Sequence, residues 1–499
     1  MSHGVETGRI TTNIPARLDR LPWSRWHWLV VIGLGTVWIL DGLEVTIVGS
    51  MSDALANPKT GLGMSSFDVG LAGATYVAGA CVGALFFGQL TDRFGRKKLF
   101  LLTLGVYTAA TVLTAFSMSP LWYFVARFFT GAGIGGEYAA INSAIDELIP
   151  AKYRGRVDVS INGSFWIGAA GGALLTIPLL DPTVIDQSVG WRLAFGLGAI
   201  LAVGILIVRR AVPESPRWLF IHGREEEAEE IVTDIEGTVS KESGKDLPEA
   251  SETITVRQRK TISLPLIAKT VFTMYPRRTI LCFSLFVGQA FLYNAFFFTY
   301  GDTLTNFEGV TQTGYYIAVF ALSNFAGALL LGPLFDSIGR VRMLTVTYGL
   351  SGILLVITGL TLDSYTATTL TLMGCIIFFI ASAGASAAYL TASEVFPMET
   401  RALCIAFFYA IGTAAGGIAG PLLFGKLIDD AVKAGGGISS IALGYYIGGA
   451  LMIAGGIVAA FLGVKAEGQS LESIAKPLTA EDDDSGSSAD HSTTTPQHA

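Results

Sequence analysis

The chain has 499 residues, 51% hydrophobic and only 15% charged, with 59 glycines and a mean hydropathy of +0.54. Soluble domains carry about 25% charged residues, so most of this chain does not face water. The net charge of −7 owes much to the acidic run Glu481-Asp482-Asp483-Asp484, and no nucleic-acid partner is expected.

Residues 1–25 are polar and carry Arg9, Arg17, Arg20 and Arg25. The apolar run behind them is too long for the core of a signal peptide, so 1–25 is expected to be a cytoplasmic N-terminal segment. A bilayer-crossing helix needs about 20 apolar residues, whereas a barrel strand needs about 10 alternating ones. Twelve runs meet the helix requirement, near 26–50, 69–91, 98–117, 120–145, 158–181, 190–211, 278–301, 312–336, 342–362, 367–393, 402–428 and 439–463. They group into six-helix bundles over 26–211 and 278–463. Between them, 212–277 forms a cytoplasmic loop in which 216–236 reads as an amphipathic helix. Residues 464–499 form a cytoplasmic tail, expected to be disordered from about 477. Cys81, Cys282, Cys375 and Cys404 share no metal-type spacing and read as small packing residues. The fold class is therefore an all-α membrane protein of twelve helices in two pseudo-symmetric bundles.

Basic residues assign the sides. With the N-terminus inside, 33 Lys and Arg distribute to the cytoplasmic face except Lys59, Arg192, Lys426, Lys433 and the intramembrane Arg127. Both termini then lie in the cytoplasm, with the plasma (inner) membrane as the expected site.

The halves repeat. Gly88-x3-Asp92-Arg93-x-Gly95-Arg96-Lys97 returns 244 residues later as Gly332-x3-Asp336-Ser337-x-Gly339-Arg340-x-Arg342. Glu147-x2-Pro150-x3-Arg154 returns 247 residues later as Glu394-x2-Pro397-x3-Arg401. Nearly equal offsets mean collinear halves, and such repeats build transporters that rock about a central site. With Arg127-x3-Gly131-x-Gly133-x-Gly135, Pro213-Glu-Ser-Pro-Arg-Trp-Leu219 and Glu467-Gly-x2-Leu471-Glu, the chain resembles the major facilitator superfamily, sugar porters and related proton-linked metabolite symporters in particular, over roughly 26–475.

Intramembrane charges are costly and mark function. Asp41, Glu44, Arg127 and Glu137 are the inventory. Glu44 and Arg127 fall at similar depth and can pair if their helices adjoin. The resemblance implies that these two form a proton-coupling pair. Asp41, one turn deeper on the same face, is read as sharing the proton, with a polar anchor to backbone or water as the other reading. A static ion pair, or direct binding of substrate by Arg127, are the other readings. Glu137 is expected in a polar network of the cytoplasmic half. The glycines around it lack the strand and the Gly-Lys-Ser/Thr of a phosphate loop. They suit close helix approach.

On the substrate side the resemblance implies contacts from Gln289 and Asn294, with Tyr389 at the position of the family's capping tryptophan. Amides both donate and accept, which suits hydroxylated cargo. An aromatic or organic acid neutralised by Arg127 is the rival. Phe296, Phe297 and Phe298 read as packing or lipid-facing. The cytoplasmic gate is expected at Gly88, Asp92, Arg93, Gly95, Arg96, Glu147, Arg154 and Glu214 in one half. Asp336, Gly339, Arg340, Glu394 and Arg401 would form it in the other, with bridges that break on inward opening. Simple anchoring of topology by the basic loops is the alternative.

The function expected is transport of a small polar metabolite, a sugar or an organic or aromatic acid, by alternating access, with proton symport and with the monomer as the working unit. An efflux antiporter and a non-transporting nutrient sensor are the alternatives. Neither a metal cluster, a cofactor motif nor a nucleophile–base pair points to an enzyme.

Overall fold

The computed structural model describes residues 6–475 except 52–53, 56, 65, 182, 210–212, 245–246, 251, 260–268, 311–312 and 398–399. The tail expected to be disordered from 477, and the side chains of Asp92, Phe297 and Phe298, lie outside the described residues.

A strand, β1 (Glu6–Thr12), and a short helix, α1 (Ile14–Asp19), precede the first half. That half consists of α2 (Arg25–Ser50), α3 (Ser66–Phe94), α4 (Arg96–Ala115), α5 (Pro120–Leu148), α6 (Ala151–Gly163) running through Ser164 into α7 (Phe165–Leu180), and α8 (Gln187–Arg209). Then come α9 (Pro216–Ile221), α10 (Glu225–Ser243) and β2 (Ile254–Arg259). The second half holds α11 (Pro276–Glu308), α12 (Thr313–Ser337), α13 (Arg340–Leu360), α14 (Ala367–Glu394), α15 (Arg401–Gly412), α16 (Ile418–Ala434) and α17 (Ala442–Leu462), followed by α18 (Leu471–Ile474). This is the twelve-helix architecture, with α6–α7 and α15–α16 each forming one crossing.

Eleven crossings are long and apolar enough on length and composition alone. Among the described residues α5 is the twelfth: it carries Arg127, Glu137, Asp146 and Glu147, of which Arg127, Glu137 and Glu147 are buried against neighbouring helices. The surface is inverted relative to a soluble protein, since Ile32, Phe86, Leu102, Ile200, Leu330 and Phe461 are exposed. Such a continuous apolar surface belongs in lipid.

Helix ends follow local chemistry. Ser119 caps α5 through Trp122 N, with Pro120 in its first turn, and Thr366 forms a capping box with Thr369 on α14. The tightest packing joins α3 to α5. A Cβ on Gly131 or Gly135 would stand 2.0 Å from the carbonyl oxygens of Tyr76 or Ala80. Gly79 and Gly83 meet α5 backbone equally closely. Small residues let the backbones touch where lipid supplies no hydrophobic drive. The halves meet where α6 and α7 pack on α12, and where α3 packs on α15.

Three details go beyond the sequence reading. The N-terminal segment is structured: β1 pairs antiparallel with β2, and Ile14, Leu18 and Leu21 pack on Phe220, Val232 and Ile235. The amphipathic helix of 216–236 is two helices, because Gly223 adopts φ +75° and turns the chain between them. A π-helical turn, Thr413–Gly417, interrupts the eleventh crossing beside α11.

Candidate functional site

Four helices of the first half converge on one buried ion pair. Arg127 Nη1 of α5 lies 2.5 Å from Glu44 Oε1 of α2, and both residues are buried. Thr111 of α4 donates to Glu44 Oε2 at 3.2 Å. The Tyr76 ring of α3 faces the guanidinium at 4.6 Å. A buried charge is tolerable only when paired and hydrogen-bonded, and each of these contacts serves that need. The glycine crossing of α3 and α5 sets the geometry, since it brings Tyr76 and Arg127 to the same level.

Asp41 lies beside this pair but on its other side. It accepts from Tyr76 OH at 2.6 Å and from Tyr138 OH, and it faces a cavity between the halves. The cavity has about 170 Å³ of space, enough for one small molecule. Trp38 and Tyr138 stack with centroids 4.5 Å apart. Tyr409 meets Tyr138 edge-on at 4.7 Å, and Trp166 lies 5.3 Å from Tyr293. Gln289, Asn294 and Tyr389 all line it, so the three residues expected on the substrate side come together. Asn294 Nδ2 donates to Ala290 O at 2.8 Å and lies against Gly417 of the π-turn.

Neither Arg127 nor Glu44 is among the described lining residues, and none of those is Lys, Arg or His. The reading in which Arg127 neutralises a bound carboxylate therefore does not fit this geometry: its guanidinium is engaged by Glu44. Glu137 is buried and accepts from Thr103 Oγ1 at 3.3 Å, away from the cavity lining. Phe296 packs against Tyr300, Phe320 and Phe378 inside the second half, not toward lipid.

At the basic end, the repeated motifs form two matching ion-pair sets. Arg96 Nη2 contacts Glu147 at 2.6 Å. Arg340 grips Glu394 through two bonds of 3.0 and 3.1 Å and holds Asp336 at 2.8 Å. Gly95 and Gly339 adopt φ +94° and +108°, which let the chain turn into α4 and α13. Glu214 accepts from the N-terminal amides of α4, Arg96 N at 2.9 Å and Lys97 N at 3.2 Å. Glu467 does the same for Arg340 N of α13 at 3.4 Å. Burial pushes the Glu214 carboxyl above its usual range, and those amide bonds oppose the shift. Arg401 donates to Ser393 O at 2.6 Å and lies 3.7 Å from Glu147 of the other half. Asp336 accepts from Arg156 N at 2.8 Å, again across the halves, and Gly155 leaves room for that contact. Arg154 reaches Asp19 and the carbonyl of Gln469.

Two expected gate members stand apart. Arg93 is exposed and lies over the Phe94 ring, because its place on α3 turns it outward. Gly88 is buried inside α3 and makes no turn. Sequence reasoning missed the cavity aromatics Trp38, Tyr76, Tyr138, Trp166, Tyr293 and Tyr409. Their signal was present for α2 and α5, where Trp38 precedes Asp41 by three residues and Tyr138 follows Glu137. It also missed Asp19, which pairs with Arg217 at 3.3 Å. Among the described residues no group of His, Cys, Asp or Glu is placed to hold a metal.

Comparison with known proteins adds four likenesses. The pattern of the family described as "sugar (and other) transporter" matches residues 30–477. The niacin transporter of Acinetobacter baylyi is 28% identical over 466 residues, 93% of this chain and 99% of that one. The 4-hydroxybenzoate transporter of Pseudomonas putida is 23% identical, over 80% of this chain and 86% of that one. Among solved structures, a proton:xylose symporter of the major facilitator superfamily superposes with a TM-score of 0.70 at 17% identity, covering 90% of this chain and 98% of that one.

Proposed function

We propose that this chain, which belongs to the sugar (and other) transporter family, carries a small ring-bearing metabolite across the membrane by alternating access, driven by proton symport. The family consists of membrane transporters, so the chain is an integral multi-pass transporter and not an enzyme. The observation that carries the rest is a cavity between the halves with a carboxylate facing it and a separate buried ion pair behind that carboxylate.

Glu44 and Arg127 serve as the coupling pair. Alternating access makes and breaks this contact, and proton movement is coupled to it. Tyr76 joins this pair to the cargo site, since its hydroxyl binds Asp41 while its ring covers Arg127. A change at Asp41 is thereby felt at Arg127. The basic end faces the cytoplasm, following the distribution of Lys and Arg, and the membrane is the plasma (inner) membrane with both termini inside. Contacts across the halves at that end, Asp336 with Arg156 N and Arg401 with Glu147, hold the inward path shut and break when it opens. The aromatic walls favour a ring, and two relatives of this chain carry names of aromatic cargo, niacin and 4-hydroxybenzoate.

Proteoliposomes under an imposed pH gradient provide the test, with pyridine and benzoate compounds and sugars as cargo. Accumulation above the equilibrium level is expected, and its absence for every compound sinks symport. The Glu44→Gln variant should lose accumulation while still exchanging labelled for unlabelled cargo. Accumulation by this variant against a gradient would refute the coupling role of Glu44.

A further inference from the structure

The charge of the cargo is written into the cavity. Asp41 is the single formal charge among the described lining residues, and its partners are two hydroxyls, of Tyr76 and Tyr138. The basic residue nearest in function, Arg127, is committed to Glu44 and screened by the Tyr76 ring. A bound carboxylate would thus sit unpaired beside Asp41, at the full penalty of burying one charge next to a like one. The walls add a second, independent preference. The rings of Trp38, Tyr138, Trp166, Tyr293, Tyr389 and Tyr409 line the space, and aromatic rings attract cations and pack on flat rings. Gln289 and Asn294 supply amide groups for a polar substituent on such a ring.

We infer that the cavity selects a planar nitrogen-containing aromatic carried as a cation or neutral species, its positive or N–H edge on Asp41, and rejects the corresponding carboxylate anion. The inference rests on reading this cavity as the cargo site. Asp41 then acts as counter-ion to the cargo, and Glu44 with Arg127 handles the proton.

Three pyridines of one size and different charge separate the possibilities: 1-methylnicotinamide as cation, nicotinamide as neutral ring and nicotinate as anion. Binding to the purified full chain in detergent at pH 7 is followed by calorimetry. The expected order is cation, then neutral, then anion, with the cation about tenfold or more tighter than nicotinate. This ranking needs no variant, so it stands even if substitutions at the site unfold the protein. Asp41→Asn should weaken the cation about tenfold and nicotinamide by a smaller factor, so that the cation loses its advantage over the neutral ring. Tighter binding of nicotinate or xylose than of the cation overturns the inference. So does failure of the cation to bind at millimolar concentration, or an Asp41→Asn protein that binds the cation as the native chain does. Transport failure is separate: if the cation binds best but nothing accumulates in vesicles, symport falls and the charge selection stands. If nicotinate both binds best and accumulates, symport stands and the charge selection falls.

Discussion

Tyr76 is the residue on which the two buried charge systems meet. Its hydroxyl is 2.6 Å from Asp41, and its ring is 4.6 Å from the Arg127 guanidinium. Tyr76→Phe keeps the ring and removes the donor. A hydrogen bond to a charged acceptor contributes about 1.5–3 kcal/mol, so this variant should lower thermal stability in detergent by a comparable amount and weaken cargo binding at Asp41. Arg127→Ala has a larger effect by a different route, because Glu44 is left as an unpaired buried charge. Breaking such a pair costs about 3–5 kcal/mol. Stability measured with both Arg127→Ala and Glu44→Gln in one chain checks this: the double variant should be more stable than Arg127→Ala alone. Equal stability would mean that Glu44 is not held by Arg127. Spacing alone placed Glu44 and Arg127 at one depth. It did not show that Asp41, not Arg127, faces the cavity, because the face a side chain takes depends on which neighbour its helix leans on.

At the scale of elements, the α3–α5 crossing and the N-terminal strap behave differently. In α5, Gly131→Val would push a branched side chain into the Tyr76 carbonyl, where even a Cβ stands 2.0 Å away. Overpacking of this kind costs about 1–3 kcal/mol or more, and it displaces Arg127 with the helix; loss of the thermal transition or of cargo binding is the expected reading. The strap is an electrostatic device. Arg17 contacts Glu229 and Glu236, Arg20 contacts Glu236, and Asp19 touches Arg154 and Arg217. Burial pushes the Glu236 carboxyl up, but its hydrogen bonds to Arg17 and Arg20 outweigh that and hold it below the ordinary glutamate range. A carboxyl with a depressed value in the folded state stabilises it above its unfolded pKa, and that contribution is lost as pH falls through the folded value. Amide exchange in β1, α1 and α10 should therefore rise on acidification below the ordinary glutamate range, and Glu236→Gln should remove that pH dependence. Unchanged exchange across that range would show that the strap is held by its apolar contacts alone. The strap was invisible in sequence because β1 and β2 are more than 240 residues apart, and a polar N-terminus carries no local signal for such pairing.

For the whole molecule, closure at the basic end depends on bonds that cross between the halves. Asp336 holds both Arg340 of its own half and Arg156 N of the other. Asp336→Asn weakens both, so the population with that end open should grow. Spin labels at the exposed positions Lys152 and Ser337 report it as a longer distance distribution. An unchanged distribution would mean that the apolar packing of α6 and α7 on α12 alone holds the halves together. The two halves are alike at this end, with Glu214 and Glu467 each accepting from the first amides of a helix. They differ at the centre, where both carboxylates and the arginine come from the first half.

The sequence by itself determined the twelve crossings, the repeated halves and the basic end. Bilayer thickness and the cost of burying charge act on local runs of residues, and both are legible in one dimension. It also placed Glu44 and Arg127 at one depth, while Gln289, Asn294 and Tyr389, singled out by the resemblance, meet at one cavity. Only the tertiary structure decided which charge faces the cavity, which aromatic rings wall it, and that Asp19 and Glu467 enter the basic-end network. Those depend on helix rotation and on contacts between segments far apart in the chain, where close glycine crossings and buried pairing requirements leave one arrangement.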